Sequence, residues 1–311
     1  MKKSRGFTLV ELLVVITIIG ILAALISVAA VNALYVAKNT RIKFEVDNLD
    51  AAMKSAKQAW GAYPPCDLVC TTDTAGSAGY NLPLRSFISK AFPRYNQSTL
   101  RADLMAAGVD TTNFNPARAL VFWLSGFNPD VTRPFAPGGT RIALYDFDKM
   151  RLKSGEPFVD NNGNGVWDAG EPFTDSNGNG AYNRDPQCYV VAGDQDAPLV
   201  YFDYRSYGLG GNGTVPNSPR TYTYSPAAGT AMPYIIRRAG DPPPPLHFTP
   251  QPTDEWANLE SFQIISAGQD GVYTVNPTAL RIFPKGWNYD MSDNDNISNF
   301  CDKSSLDAAK P

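Results

Sequence analysis

The chain begins with a long run of apolar residues whose pattern changes partway along. Residues 12–37 contain no charged side chain, and about 20 apolar residues suffice to cross a bilayer as a helix. From residue 38 onward charges appear, yet apolar side chains continue at spacings of three and four, as on one face of a helix. These are Ile42, Val46, Leu49, Met53, Ala56 and Trp60. The pattern predicts one helix, membrane-spanning over residues 7–37, amphipathic over residues 38–60 and ended by Gly61.

Beyond the long helix, shorter patterns predict a mixture of helices and strands in one globular domain, residues 61–311. Short helices are expected over residues 82–92 and 98–107, with Ser98 as an N-cap. The run ARALVFWLS after Asn115-Pro116 predicts a helix or, alternatively, a buried strand. Segments rich in β-branched and aromatic residues predict strands at 141–147, 189–192, 198–204 and 261–266. Segments rich in Gly and Pro predict loops at 205–232 and 240–256.

A small antiparallel sheet packed on the long helix is the economical way to bury these apolar faces. We therefore expect an α+β fold, in which the second half of the helix lies against the sheet.

The N-terminus has features that a plain membrane anchor does not need. A short basic leader, MKKSRG, ends at Gly6, and Phe7 begins the apolar run. Glu11 then places one acidic side chain at the edge of that run. An ionisable group at such a place is costly and indicates a function.

The sequence Gly6-Phe7-Thr8-Leu9-Val10-Glu11 and the uncharged run after it resemble the N-terminus of type IV prepilins and type II secretion pseudopilins. The resemblance implies residues 1–6 as a leader, cleavage by a prepilin peptidase between Gly6 and Phe7, and N-methylation of Phe7. It also implies that Glu11 pairs with the charged N-terminus of a neighbouring subunit in a filament core. Because such pairing offsets the cost of burying a carboxylate, Glu11 would set the register of assembly.

Two other interpretations of this segment are weaker. A secretory signal peptide has a shorter apolar core, about 7–15 residues, followed by a small-residue cleavage site. A plain single-span anchor would not need Glu11 so close to Phe7. In any membrane interpretation Lys2, Lys3 and Arg5 favour a cytoplasmic N-terminus and an extracytoplasmic globular domain.

Composition narrows the classes of function. The chain has 311 residues, a formal net charge of −3 and a single histidine, His247. Loss of the three basic leader residues would make the net charge −6, which argues against a nucleic-acid binder that neutralises phosphates. The single histidine argues against a His-dependent triad or zinc site, and neither a G-x-S-x-G motif nor a P-loop is present. We therefore expect no enzymatic activity and no nucleic-acid partner.

The four cysteines suggest disulfide bonds, because the chain beyond the membrane lies in an oxidising compartment and the count is even. Cys66 and Cys70 could close a small loop after the long helix. Cys188 and Cys301 would then pair across the domain. Free thiols are an alternative, and a half metal site at Cys66 and Cys70 is a weaker one because the second half is missing.

Residues 155–183 form an internal repeat with a period of 15. GEPF occurs at 155 and again at 170, and NNGNG at 161 is echoed by SNGNG at 176. The first copy fits the calcium-loop pattern D-x-[DN]-x-[DN]-G-x5-E over residues 160–171. Its oxygen ligands would come from Asp160, Asn162, Asn164, the carbonyl of Val166, Asp168 and Glu171.

The second copy of the repeat is incomplete. Asp175, Asn177 and Asn179 keep the spacing, but Pro186 stands where the last ligand is expected. The flanks lack the helices of an EF-hand, and the loop resembles those of dockerin modules and thrombospondin-type repeats. An Asn/Gly-rich turn without an ion is the alternative. A structural Ca²⁺ is the expected cofactor, since weak sites suffice where calcium is abundant.

A second candidate for calcium lies nearer the C-terminus, where SAGQDG at 266–271 precedes an acidic segment at 290–295. The two segments resemble the C-terminal calcium region of major type II secretion pseudopilins. The resemblance implies Asp270, Asp293 and Asp295 as ligands, although a longer connection separates the segments here. A β-turn with exposed acids is the alternative.

Taken together, the resemblances imply a structural subunit of a type II secretion pseudopilus, with a type IV pilus pilin for adhesion, motility or DNA uptake as the alternative. The large middle of the chain departs from a compact major pseudopilin and leaves a minor subunit open. Expected partners are other pseudopilins or pilins, the prepilin peptidase, the inner-membrane assembly platform and membrane lipid. The expected location is the inner membrane, in a single pass, and then a periplasmic or surface filament.

Overall fold

The computed structural model consists of a long N-terminal helix followed by an α+β domain. It describes residues 8–66, 70–72, 78–80, 82–106, 114–136, 141–153, 159, 161, 170–173, 188–192, 197–207, 219–225, 228–237, 255–275, 277 and 279–311. The helices are α1 Leu9–Trp60, α2 Leu82–Ala91, α3 Leu100–Ala106 and α4 Pro116–Leu124. The predicted fold class is confirmed.

The strands are short and form several small sheets. They are β1 Cys70–Thr72, β2 Ala78–Tyr80, β3 Leu152–Lys153, β4 Cys188–Tyr189, β5 Val200–Asp203, β6 Tyr222–Ser225, β7 Gly229–Ala231, β8 Tyr234–Ile236, β9 Glu255–Trp256, β10 Phe262–Ser266, β11 Arg281–Phe283 and β12 Ile297–Ser298. Two sheets have three strands, in the orders β12-β10-β5 and β11-β8-β9. The pairs β1-β2, β3-β4 and β6-β7 are separate hairpin-like sheets.

Helix α1 ends where the sequence predicts. Gly61 adopts the left-handed conformation with φ of 74°, which costs glycine least, and its N–H donates to Lys57 O at 2.8 Å. The predicted apolar stripe is buried along the second half of the helix. Its members are Ile42, Val46, Leu49, Met53, Ala56 and Trp60.

The sheet β12-β10-β5 lies at the centre of the domain and is buried on both faces. Tyr201 and Ile264, on one face, belong to the apolar cluster that contains the stripe of α1. Phe202 and Ile265, on the other face, belong to a second cluster that includes Trp256. Because both faces are covered, all five positions of β10 are buried, which hides the alternation expected of a half-exposed strand.

Helix α4 forms as predicted and supports the end of α1. The side chain of Asn115 accepts from the N–H groups of Ala117 and Arg118 and caps the helix, with Pro116 at its first position. On the buried face, Trp123 Nε1 donates to Pro65 O at 2.8 Å. Its ring packs edge-on against Trp60, with 6.2 Å between ring centroids.

The second predicted short helix begins differently from expectation. A 3₁₀ turn, Gln97–Thr99, precedes α3 and is capped by Asn96, whose side chain accepts from Ser98 N. Ser98 is therefore not the N-cap.

Residues 141–147 do not form the predicted strand. Ile142 makes only an isolated bridge, and the N–H groups of Leu144 and Tyr145 donate to Leu124 O at 2.9 and 3.2 Å. These two amides satisfy a carbonyl at the C-terminal end of α4, so they are not available to a neighbouring strand.

Part of the segment predicted as a loop, residues 205–232, is strand instead. β6 and β7 pair antiparallel within it, with an irregularity between Thr223 and Ser225. The pair β8-β11 is parallel and departs from the predicted antiparallel arrangement. Its partners come from distant parts of the chain, and each contributes only three residues.

Candidate functional site

The N-terminal end of α1 is held by a local capping arrangement that uses Glu11. Glu11 N donates to Thr8 Oγ1 at 3.2 Å, and the Glu11 carboxylate accepts from Thr8 N and Thr8 Oγ1, both at 2.8 Å. This reciprocal pair satisfies amides that the first helical turn leaves without partners. The predicted cleavage point between Gly6 and Phe7 lies outside the described residues.

Apart from a bond that Gln269 Nε2 donates to Tyr35 O, the first half of α1 is not packed against the rest of the described chain. Its side chains are exposed from Thr8 to Lys38, including large apolar ones such as Leu25, 65% exposed. Among the described residues α1 is the one helix long and apolar enough to cross a bilayer. An apolar helix exposed on all sides needs lipid or other helices around it.

Most of the predicted calcium loop at 160–171 lies outside the described residues. This applies to Asp160, Asn162, Asn164, Val166 and Asp168, and to the second-copy residues Asp175, Asn177 and Asn179. The ends of the first loop are described and lie together. Val159 N donates to Pro172 O at 2.8 Å, and Glu171 Oε1 accepts from Asn161 N at 2.8 Å.

Glu171 is therefore folded back onto the start of its own loop and is buried. A calcium loop needs this closure, because its last carboxylate must reach the ion together with the first ligands. The closed ends are compatible with the predicted ion, which stays a prediction.

The base of the repeat insertion is attached to α1 by a charged cluster that the sequence did not reveal. β3 and β4 flank the insertion and pair antiparallel. Beside them, Arg151 forms a two-bond ion pair with Glu45 of α1, with Nη1 to Oε2 at 2.7 Å. Tyr189 OH also donates to Glu45 Oε1, at 2.6 Å. Glu45 lies on the buried side of α1 beside Val46. An acidic residue on an apolar helix face is the feature of the sequence that could have indicated a cationic partner.

The cluster also changes the titration of its members. Burial opposes the charge of Arg151, but the Glu45 carboxylate more than offsets this, so the pKa of Arg151 is raised. Burial, reinforced by the bond to Glu45, raises the pKa of Tyr189. Both groups therefore keep their protons at ordinary pH.

The two C-terminal segments predicted to share a calcium do meet in the structure. Asp295 Oδ2 accepts from Gln269 N at 2.7 Å and from Asp270 N at 3.0 Å. Gly268 has φ of 64°, and a Cβ at this position would overlap Asp295. The tight approach therefore requires glycine at position 268.

Asp270 and Asp295 lie in a setting that favours a cation. The pKa of Asp270 is raised to about 6, chiefly by burial and also by the nearby carboxylates of Asp295, Asp290 and Asp293, while the bond from Val272 N acts to lower it. Burial also raises the pKa of Asp295, whose Oδ1 is buried and has no hydrogen-bond partner among the residues that the structure describes. Two crowded carboxylates with one unsatisfied oxygen fit a hard cation.

Asp293 does not fit a ligand role in this structure. Its side chain is fully buried, and Oδ2 accepts from Arg281 Nε at 2.8 Å. Its Oδ1 accepts from Tyr234 OH at 3.0 Å and from Thr274 Oγ1 at 2.5 Å. Asp293 thus belongs to a buried ion pair with Arg281. Of the three predicted calcium ligands near the C-terminus, Asp270 and Asp295 remain. Within the described residues no three His, Cys, Asp or Glu side chains are grouped to hold a metal, so backbone oxygens would have to complete a calcium site there.

The predicted disulfide between Cys188 and Cys301 is wrong for this structure. Both carry buried free thiols, and each lies beside a backbone carbonyl of its own surroundings. Cys188 Sγ is 3.7 Å from Lys153 O, across the β3-β4 pair, and Cys301 Sγ is 3.6 Å from Ser305 O. The side chain of Cys70 lies outside the described part, so its pairing with Cys66 stays a prediction.

Comparison with known proteins gives one positive result. Residues 1–27 match the family model described as the prokaryotic N-terminal methylation motif. No curated protein and no solved structure matches the chain. The matched residues include the predicted cleavage point, Glu11 and the first part of the exposed apolar helix. The motif and the long apolar helix that carries it together support the conclusion that the chain is a type IV pilin-like protein.

Proposed function

We propose that the protein is a subunit of a type II secretion pseudopilus, processed by prepilin peptidase and assembled through α1. The observation that carries this proposal is the meeting of the loop 266–271 with the turn 290–295 through Asp295. The resemblance to major pseudopilins requires these two segments to come together although they are distant in sequence. Their contact, on the domain that follows a pilin-like helix, supports the secretion assignment over an adhesive pilus.

Calcium is part of this proposal as a structural ion. Asp270 and Asp295 would hold one ion with the help of backbone oxygens, and Glu171 would belong to a second site at 160–171. A bound divalent cation would remove the repulsion between the crowded carboxylates and thereby stabilise the surrounding turns. The ion needs no catalytic role.

A type IV pilus pilin is the second candidate function. The methylation motif and the exposed apolar helix serve both machines equally well. The insertion after β3, attached to α1 through Arg151 and Glu45, is the specific feature that favours it. An additional segment of this length suits a subunit displayed outside the cell.

The experiment that separates the two functions compares a strain lacking this chain with strains complemented by the wild type or by Glu11→Gln. Glutamine can still bond Thr8 N in the capping box, but it cannot pair its charge with a neighbour's N-terminus. We expect the deletion and the Glu11→Gln strain to lose protein export into the medium while surface filaments remain. Immunoblots of membranes must show equal amounts of the inserted chain.

Three outcomes would contradict the proposal in whole or in part. Loss of surface filaments or twitching with export intact would assign the protein to a type IV pilus. Normal export and normal filaments in both strains would show that neither machine requires this protein. Full activity of the Glu11→Gln strain, with loss of export in the deletion strain, would leave capping as the role of Glu11.

A further inference from the structure

An exposed apolar side chain of the globular domain, Met291, lies beside the end of the uncharged part of α1. Met291 is 91% exposed, and Val36 and Tyr35 of the helix are 56% and 44% exposed. All three line one cavity of about 670 Å³ between the domain and α1. We call these three residues the collar.

Hydrogen bonds fix the position of the collar along the helix. Gln269 Nε2 donates to Tyr35 O at 2.7 Å and also bonds the side chain of Asn39. Gln269 N in turn donates to Asp295 at 2.7 Å, which belongs to the 3₁₀ turn Ser292–Asp295 directly after Met291. Met291 is thus tied to the level of Tyr35 by a short chain of bonds.

The length of the uncharged segment places that level at the membrane surface. Residues 12–37 as a helix extend about 39 Å, at about 1.5 Å per residue. The hydrocarbon core is about 30 Å thick, and the bilayer with its headgroups about 40–45 Å. When the segment spans a bilayer, Tyr35 and Val36 therefore lie in the outer headgroup layer, and Met291 lies there with them.

The chemistry around the collar suits that layer. Tyrosine is enriched at membrane interfaces because one end is apolar and the other polar. Lys38 follows within one turn, is exposed and forms no ion pair with any residue that the structure describes. A phospholipid offers a phosphate to Lys38 and acyl-chain surface to Met291.

We propose that Tyr35, Val36 and Met291 form a lipid-contacting collar, through which the globular domain rests on the outer surface of the bilayer before assembly. The occupant of this surface is the phospholipid layer of the membrane that α1 spans. The inference rests on membrane insertion of α1, but it holds for a pseudopilin and a pilin alike.

The test uses the full chain in nanodiscs of phosphatidylethanolamine and phosphatidylcholine, with one copy per disc and a quencher on the acyl chains. An environment-sensitive fluorophore is attached to Met291→Cys, to Leu25→Cys within the span and to Ile142→Cys. Ile142 is the matched control, because it is 62% exposed and bridges Phe127, which packs on Trp60 at the far end of α1. The unsubstituted chain measures labelling of the native cysteines.

We expect a blue shift and about a twofold quenching at Met291→Cys, as for a side chain in the headgroup and acyl boundary. Stronger quenching is expected at Leu25→Cys and none at Ile142→Cys. If Leu25→Cys is quenched but Met291→Cys behaves like Ile142→Cys, the collar does not touch lipid and the inference is overturned. If Leu25→Cys is not quenched, α1 is not inserted in the bilayer, and the proposed contact of the collar with lipid is then rejected as well.

Discussion

The two halves of α1 belong to one continuous helix but have opposite surroundings. In residues 9–37 the described side chains are exposed, whereas in residues 39–60 one face is buried against the domain. The second half is stabilised by its own chain. The first half must obtain its stabilisation from lipid or from other helices around it.

The glutamates of the two halves show the same contrast. Glu11 is bonded locally, to Thr8 three residues away, while Glu45 is bonded to Arg151 and Tyr189, more than a hundred residues away. The carboxylate in the domain-packed half holds the tertiary structure together. The carboxylate of Glu11 orders only the first turn of the helix.

The largest expected effect comes from shortening one leucine in each half. Leu49 is fully buried, and Leu25 is 65% exposed. Leu49→Ala should lower the free energy of unfolding of the domain by about 2–5 kcal/mol, since it removes buried surface and leaves a cavity. Leu25→Ala should change it by less than about 0.5 kcal/mol.

Denaturant unfolding of both variants in the same detergent, followed by tryptophan fluorescence, measures this difference. Trp60 and Trp123 lie in the core that Leu49 helps to form and report its loss. Equal destabilisation by the two substitutions would mean that the halves are not independent.

A smaller effect is expected from removal of calcium, and it should reach only the domain-packed half. At a calcium concentration tenfold above the dissociation constant, each site stabilises the fold by about 1.4 kcal/mol. Chelation should therefore lower the melting temperature of the domain. Amide exchange should rise in residues 39–60, because Arg151 and Tyr189 connect the base of the insertion to Glu45.

The control for chelation is the double variant Asp270→Asn with Glu171→Gln, whose melting temperature should no longer respond to calcium. Faster exchange in residues 9–37 would show that the ion acts on the whole helix. An unchanged melting temperature of the wild-type domain on chelation would remove the structural calcium from the proposal.

The parts of the fold that were predictable from sequence are those set by local rules. The stripe from Ile42 to Trp60, the end of α1 at Gly61 and the cap of α4 at Asn115 follow from helical spacing, left-handed glycine and side-chain capping. The pair β8-β11 was missed because its two strands come from distant parts of the chain, and the pair β6-β7 was missed because it lies in a segment whose Gly and Pro content predicts a loop. The residues of such short strands carry no periodic pattern of their own.

The candidate sites also include contacts that the sequence could predict and contacts that it could not. The contact of Asp270 with Asp295 was predictable from a resemblance, because two motifs carried it. The involvement of Asp293 with Arg281 was not, since the sequence shows acids in a row without showing which of them a buried arginine will occupy. The free thiols of Cys188 and Cys301 show likewise that an even count of cysteines does not determine their geometry.

The smallest effect that would sharpen the comparison concerns the start of the membrane half. Thr8→Ala removes the hydroxyl that accepts from Glu11 N, and the loss of such a cap costs about 1 kcal/mol. The matched control is Thr17→Ala, whose hydroxyl donates to Leu13 O at 2.8 Å, a carbonyl that the helix already satisfies. In nanodiscs the amides of the first turn should exchange about fivefold faster in Thr8→Ala and at the wild-type rate in Thr17→Ala.

Because residues 39–60 are stabilised separately, domain unfolding should be the same in both variants. Equal amide exchange of the first turn in the two variants would show that the capping box does not order this end of the helix. Glu11 could then pair with a neighbouring subunit without first breaking its bonds to Thr8.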